Sequence, residues 1–145
     1  MYAFRQAGGG WYRFTLNGQA GPLPATIQRV IAQANSLLLI TAWNPMSEEL
    51  SLSVNQSANA ELQNRFEGAG VSFDESYGCS LPGIRPSWRE DGFVVFGLPL
   101  EQALAYGRET RQRSLVWVEG EQVGLLFCED GRFVPCGMTA VDPEG

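Results

Sequence analysis

The run Leu37-Leu-Leu-Ile40, leading into Thr41-Ala-Trp-Asn-Pro45, dominates the hydrophobic pattern of the chain. Continuous apolarity over a strand's length predicts a central strand buried on both faces, over Leu37–Trp43. Pro45 lacks the N–H that a ladder needs and biases Asn44 toward extended geometry, so the strand must stop there. Thr41, Trp43 and Asn44 then stand at the carboxyl end of a buried strand, where open α/β sheets place their ligand sites.

The flanking segments change period. Trp11-Tyr-Arg-Phe-Thr-Leu16 alternates and predicts a strand, after a lead-in at residues 1–10 that Gly8-Gly9-Gly10 marks as flexible. Ile27, Val30, Ile31 and Ala34 recur at helical spacing, which predicts a helix from Pro24 to Asn35. A second helix is expected from an N-cap at Ser53 to about Glu67, with Val54, Ala58, Leu62, Phe66 and Ala69 as its apolar stripe. Asn55 and Asn59 share a neighbouring polar stripe. Val71–Tyr77 reads as a strand and Gly78–Pro86 as a loop. Ser87–Glu90 and Phe93–Phe96 read as extended segments on either side of Asp91-Gly92. A third helix opens at Pro99, with Leu100, Ala103, Leu104 and Gly107 facing inward. Ser114–Val118, Gln122–Cys128 and Phe133–Cys136 then form a meander turning at Glu119-Gly120 and Asp130-Gly131. A two-residue Asp130-Gly131 loop sets Cys128 opposite Phe133 and leaves no Cys128–Cys136 disulfide. Residues 138–145 read as a frayed tail.

These elements add up to a single domain, 1–145. The expected fold is α+β, or a three-layer α/β variant, with about three helices packed on one mixed, largely antiparallel sheet of six or seven strands that ends in a C-terminal β-meander.

Composition narrows the chemistry more than it identifies it. The chain has no histidine, and all ten of its cationic residues are arginine. Ser-His and Cys-His nucleophile pairs, Schiff-base lysines and the P-loop lysine are therefore excluded within this chain. Cys79, Cys128 and Cys136 do not have the spacing of a zinc site, so neither a metal nor a cofactor is expected. A formal net charge of −6 argues against a nucleic-acid partner, because phosphate binding needs a positive field. No apolar stretch reaches the length of a membrane span, and the N-terminus lacks the apolar core of a signal peptide. With an odd number of cysteines, this predicts a reducing, cytoplasmic setting. Arginine without lysine fits a GC-rich bacterial genome.

Several motifs carry a family resemblance by their order: Thr41-Ala-Trp-Asn-Pro45 with Ser47, Asn55 in a helix with Leu62 and Phe66, Trp88-Arg-Glu90 before a short apolar strand, Ala103, and Gln112 before Ser114-Leu-Val-Trp117. In this the chain resembles a bacterial family, the domain of unknown function 3293, over roughly Leu37–Val118. The resemblance implies a small cytoplasmic bacterial protein and lends no activity.

Candidate chemistry concentrates at Thr41, Trp43, Asn44, Asn55, Trp88, Glu90 and Gln112. Trp88 and Glu90, two apart on a strand, share a face, and a carboxylate beside an indole can serve as an acid or base. The plainer alternative is a packed Trp88 and a Glu90 paired to arginine. Asn44, Asn55 and Asn59 can meet near the strand end and bond a polar ligand, or simply bond the backbone there. Trp43 is either a stacking platform or a core residue, and Gln112 either a ligand contact or surface. Three functions remain open. The first is a binding or regulatory module for a small polar molecule or peptide. The second is a histidine-free hydrolase or transferase using Glu90. The third is an interaction subunit adding a partner strand along Phe133–Cys136.

Overall fold

The computed structural model describes residues 1–141. Eight strands, β1 (Tyr2–Arg5), β2 (Trp11–Asn17), β3 (Ser36–Ile40), β4 (Ser72–Cys79), β5 (Arg89–Phe96), β6 (Ser114–Glu119), β7 (Gln122–Phe127) and β8 (Phe133–Ala140), close into an antiparallel barrel. Their order around it is β1-β2-β8-β7-β6-β3-β5-β4. Three helices, α1 (Ala25–Ala34), α2 (Leu52–Ala69) and α3 (Leu100–Glu109), complete the architecture. Among the described residues no helix is long and apolar enough to cross a membrane.

This corrects the expected open sheet of six or seven strands. Closure depends on β1, which occupies part of the supposed flexible lead-in. Ala3 and Phe4 are fully buried, and β1 pairs with β2 on one side and with β4 on the other through Tyr2↔Gly78 and Phe4↔Ser76. Gly8-Gly9-Gly10 is the β1–β2 hairpin loop. Gln6 N–H donates to the Gly10 carbonyl (2.8 Å), and Gly9 sits at φ +95, where a side chain would be strained. At the other end, Met138, Thr139 and Ala140 of the expected frayed tail belong to β8 and pair with β2; residues 142–145 of that tail lie outside the described residues.

The buried run does divide its side chains between two cores. Leu37 and Leu39 enter the barrel interior with Phe4, Tyr12, Phe14, Val94, Val116, Val118 and Val123. Leu38 and Ile40 point outward into a second cluster with Leu62 and Phe66 of α2 and Ala103 of α3. Alternation along a strand covered on both faces produces this split. The strand itself ends at Ile40, three residues short of the expected Trp43. α1 leads from the end of β2 to the start of β3, and its Ile27 and Ile31 complete the interior cluster.

Three local readings also change. β5 is one unbroken strand through Asp91-Gly92, paired with β4 throughout. Gly92 is required there by close approach, since a Cβ would collide with the Ile40 carbonyl oxygen. The N-cap of α2 is Ser51, whose hydroxyl accepts from Val54 N–H; Ala58, Leu62 and Phe66 face the core as expected, but in the first turn Val54 is half exposed while Asn55 is 3% exposed. The β7–β8 hairpin pairs Leu126 with Phe133 and Val123 with Cys136, which puts Cys128 in a longer turn instead of opposite Phe133. All three cysteines are free. On its other side β8 pairs with β2 from Gly137 to Ala140, while Phe133–Cys136 pairs with β7.

Candidate functional site

One end of the barrel is open. Beyond Leu39, Val116 and Leu125 the interior narrows to a cavity of about 220 Å³, ringed by Tyr2, Thr41, Ser76, Trp88, Glu90, Gln112, Arg113 and Ser114. Strand alternation puts these groups there. Glu90, Gly92 and Val94 face the same way along β5, as do Ser114 and Val116 along β6, so apolar core gives way to polar mouth within one or two residues of each strand. The side-chain-free Gly92 leaves room at the bottom of the mouth.

Four of the seven residues singled out from the sequence line this cavity: Thr41, Trp88, Glu90 and Gln112. Trp88 and Glu90 do share it, but Trp88 is half exposed at the rim and is not core. Thr41 is spent on structure. Its hydroxyl donates to the Asp91 carbonyl (2.6 Å) and accepts from Trp43 N–H (3.0 Å). Gln112 spends its amide on the Trp43 carbonyl (3.0 Å).

Trp43, Asn44 and Asn55 do not line the cavity. Trp43 is a buried residue whose indole N–H has no partner among the described residues. Asn44 and Asn55 lock to each other: Asn44 N–H donates to Asn55 Oδ1 (3.0 Å), and Asn55 Nδ2 donates to Asn44 Oδ1 (2.9 Å). Asn44 Oδ1 also accepts from Leu50 N–H. Asn59 bridges the Ala42 N–H and the Asp91 carbonyl. The three amides bond backbone and one another, so they build the wall and leave little for a ligand. One bond crosses from this wall to the cavity: Asn44 Nδ2 donates to Glu90 Oε1 (2.9 Å).

The loop carrying Asn44 is strained. Asn44, Met46 and Ser47 all sit in the left-handed region, at φ 47, 54 and 61, and Arg111 opposite them at φ 55. Left-handed backbone costs an L-residue about 1–2 kcal/mol, and such positions cluster where surrounding contacts over-determine them. Here those contacts are Met46 N–H to the Arg111 carbonyl (2.7 Å) and Arg113, which donates to the Met46 carbonyl and the Ser47 hydroxyl.

Residues that sequence reasoning did not single out complete the mouth. Tyr2 stands on β1, within the expected lead-in. Burial raises the pKa of its phenol above the usual 10.0, and the negative charges of the Glu90 carboxylate and of a Cys136 thiolate raise it further. Ser76 is 6% exposed and, among the described residues, its side chain has no hydrogen-bond partner. Ser114 likewise bonds no side chain, while Arg113 supplies the one cation among the described residues of the mouth. A serine on a strand carries no sequence signal, but three consecutive polar residues ahead of an apolar strand, Gln112-Arg-Ser114, do mark a change from mouth to core. Among the described residues no group of His, Cys, Asp or Glu is arranged to hold a metal ion. Cys79 is partly exposed in β4, and burial pushes the Cys128 thiol up, opposed in part by Arg108.

The family described as Protein of unknown function (DUF3293) matches residues 40–115, just over half of the chain, and the chain belongs to that family. No curated protein and no solved structure matches the chain. The matched segment contains Glu90, Arg113 and the whole strained loop, whereas Tyr2 lies outside it.

Proposed function

We propose that this member of the DUF3293 family is a small-molecule binding module whose site is the open barrel mouth. The observation that carries the reading is the set of uncommitted polar groups in a concave cavity: one carboxylate oxygen of Glu90, and the hydroxyls of Ser76, Ser114 and Tyr2. These groups face an open concavity with apolar walls, and a ligand that pairs with several of them at once has the few convergent polar anchors on which small-molecule sites are built. The cavity's size suits a metabolite better than a large cofactor. Trp88 at the rim offers an aromatic face, and Thr41 and Gln112 hold the wall behind it. Asn44, Asn55 and Trp43 support the site from outside the cavity. Three free thiols and a cation set made only of arginine favour a reducing, bacterial cytoplasm as its setting.

A thermal-shift screen against nucleosides, sugars, amino acids and divalent metals tests the reading, with Glu90→Gln and Trp88→Ala alongside. A ligand at about a hundredfold its Kd adds roughly 2.7 kcal/mol of stability. A stabilising compound whose effect both variants lose supports the mouth as the site. A compound that stabilises both variants as well as the native protein binds elsewhere, and silence across the panel removes the proposal.

A further inference from the structure

The charges around the cavity are few and unusually placed. Among its lining residues Glu90 and Arg113 alone are charged, one of each sign. Among the described residues neither takes part in an ion pair, so they stand in one cavity without touching. Both are held in place, and by the same four-residue loop. Asn44 fixes Glu90 by donating to Oε1, which leaves Oε2 uncommitted. Met46 and Ser47 fix Arg113: Nε donates to the Met46 carbonyl (3.3 Å) and the Ser47 hydroxyl (3.1 Å), and Nη2 to the Met46 carbonyl (3.1 Å). Nη1 is left without a partner among the described residues. The left-handed backbone at Asn44, Met46 and Ser47 aims all three of these groups, and strain of this kind persists where the arrangement it holds is used.

Resting on the mouth as the binding site, we infer that its ligand is a small zwitterion of the amino-acid class, with its ammonium on Glu90 Oε2 and its carboxylate on Arg113 Nη1. An anion would meet Glu90 unshielded and a cation would meet Arg113. A dipolar molecule of zero net charge satisfies both, and the cavity's own formal charge is zero. Glu90 stands on β5 and Arg113 directly precedes β6, and since both strands flank β3 the two backbones are about 10 Å apart. Ser76 and Ser114 hydroxyls can accept the remaining ammonium protons, as three donors on one nitrogen require. Trp88 and the ring of Tyr2 provide an apolar surface for the ligand's side chain.

Titration calorimetry on the full chain tests this with matched sets of probes. The sets are the α-amino acids and γ-aminobutyrate, the amines lacking their carboxylate, and the carboxylates lacking their ammonium. At least one zwitterion is expected to bind, and losing either charge from it should weaken binding by about tenfold or more, the scale of one charge-assisted hydrogen bond. Glu90→Gln should abolish the preference for the zwitterion over its carboxylate analogue, and Arg113→Gln the preference over its amine analogue. These preferences are ratios within one protein, so a variant's lower stability does not counterfeit them. Equal binding of a zwitterion and its single-charge analogues overturns the inference. Binding confined to nucleosides, sugars or metals overturns it too while leaving the mouth as a site, whereas no binding from any class overturns both.

Discussion

Asn55→Ala is the perturbation that tests the support of the site most directly. The Asn55 side chain is 3% exposed, and it accepts from Asn44 N–H at 3.0 Å and donates to Asn44 Oδ1 at 2.9 Å and, more weakly, to the Leu50 carbonyl at 3.4 Å. Each good bond contributes about 1 kcal/mol net, and a buried N–H left unpaired costs about 1–3 kcal/mol. Alanine returns roughly 0.5 kcal/mol through its better helix propensity. With the unpaired N–H taken at the low end of that range, the balance is a loss of about 2.5 kcal/mol, which for a chain of this size lowers Tm by about 5–10 °C. Urea unfolding followed by fluorescence should show a lower midpoint and an unchanged slope. Asn55→Leu fills the same space without bonds and should not restore stability if hydrogen bonding is what matters. A cycle with Asn44→Ala should be non-additive, because the two residues share their bonds. If Asn55→Ala unfolds within about 0.5 kcal/mol of the native protein, the amide lock is incidental and the account of the loop fails.

Gly92→Ala puts a methyl against the Ile40 carbonyl, so a loss of about 1–3 kcal/mol is expected by chemical denaturation; a neutral result would mean that β3 and β5 are not in the register described. An ultraviolet titration should show Tyr2 ionising above the usual phenol value of 10.0. Its neutral form is favoured by the fold, so its contribution to stability is whole below pH 10 and is lost as the pH rises through its raised value; Tyr2→Phe should remove both the late ionisation and that share of the decline. Cys128, 3% exposed with a raised pKa, should alkylate far more slowly than Cys79 and Cys136 in the folded protein, and equal rates for all three would contradict its burial. Ser47→Gly relieves a left-handed serine but removes a hydroxyl that holds Arg113, so stability should change by less than about 1 kcal/mol while ligand affinity falls; unchanged affinity would separate Ser47 from the site.

What could be read from the sequence was local. Leu37–Ile40 revealed a doubly covered strand because a short apolar run without alternation arises mainly where both faces are buried. The spacing of Trp88 and Glu90 brought two cavity residues together because strand alternation needs no knowledge of partners. Closure was not readable in the same way. It rests on Tyr2–Arg5, a four-residue strand, pairing with Ser76–Gly78 far along the chain, and nothing in either segment names the other. Gly8-Gly9-Gly10 looks the same in a mobile lead-in and in a hairpin loop. Asp91-Gly92 has the composition of a turn, yet the glycine is there to let the Ile40 carbonyl pass. Helical periodicity puts Asn55 on a polar stripe as soon as Val54 is given to the apolar one. In the structure Asn55 is buried and Val54 half exposed because the loop takes up the Asn55 amide, a demand that the helix's own periodicity does not carry.

The asparagines also show why a polar cluster at a strand end need not be the site it resembles. Each amide at positions 44, 55 and 59 is spent on backbone or on another side chain, and the groups left uncommitted are on Glu90, Arg113, Ser76, Ser114 and Tyr2. The two sets do different work. Glu90 and Arg113 stand on neighbouring parts of the barrel wall, and without a common support their side chains would swing independently or drift together into an ion pair that closes the mouth. A loop wedged between α2 and the start of β6, strained at three residues and anchored by Asn55, takes one oxygen of Glu90 and two nitrogens of Arg113 and keeps the charges apart. The strain is sustainable because Asn55 and Arg111 hold the loop's ends, and the cavity stays open because the loop competes with the direct attraction between the charges. On this view the buried asparagine and the left-handed backbone are consequences of one requirement, that two opposite charges share a small cavity unpaired.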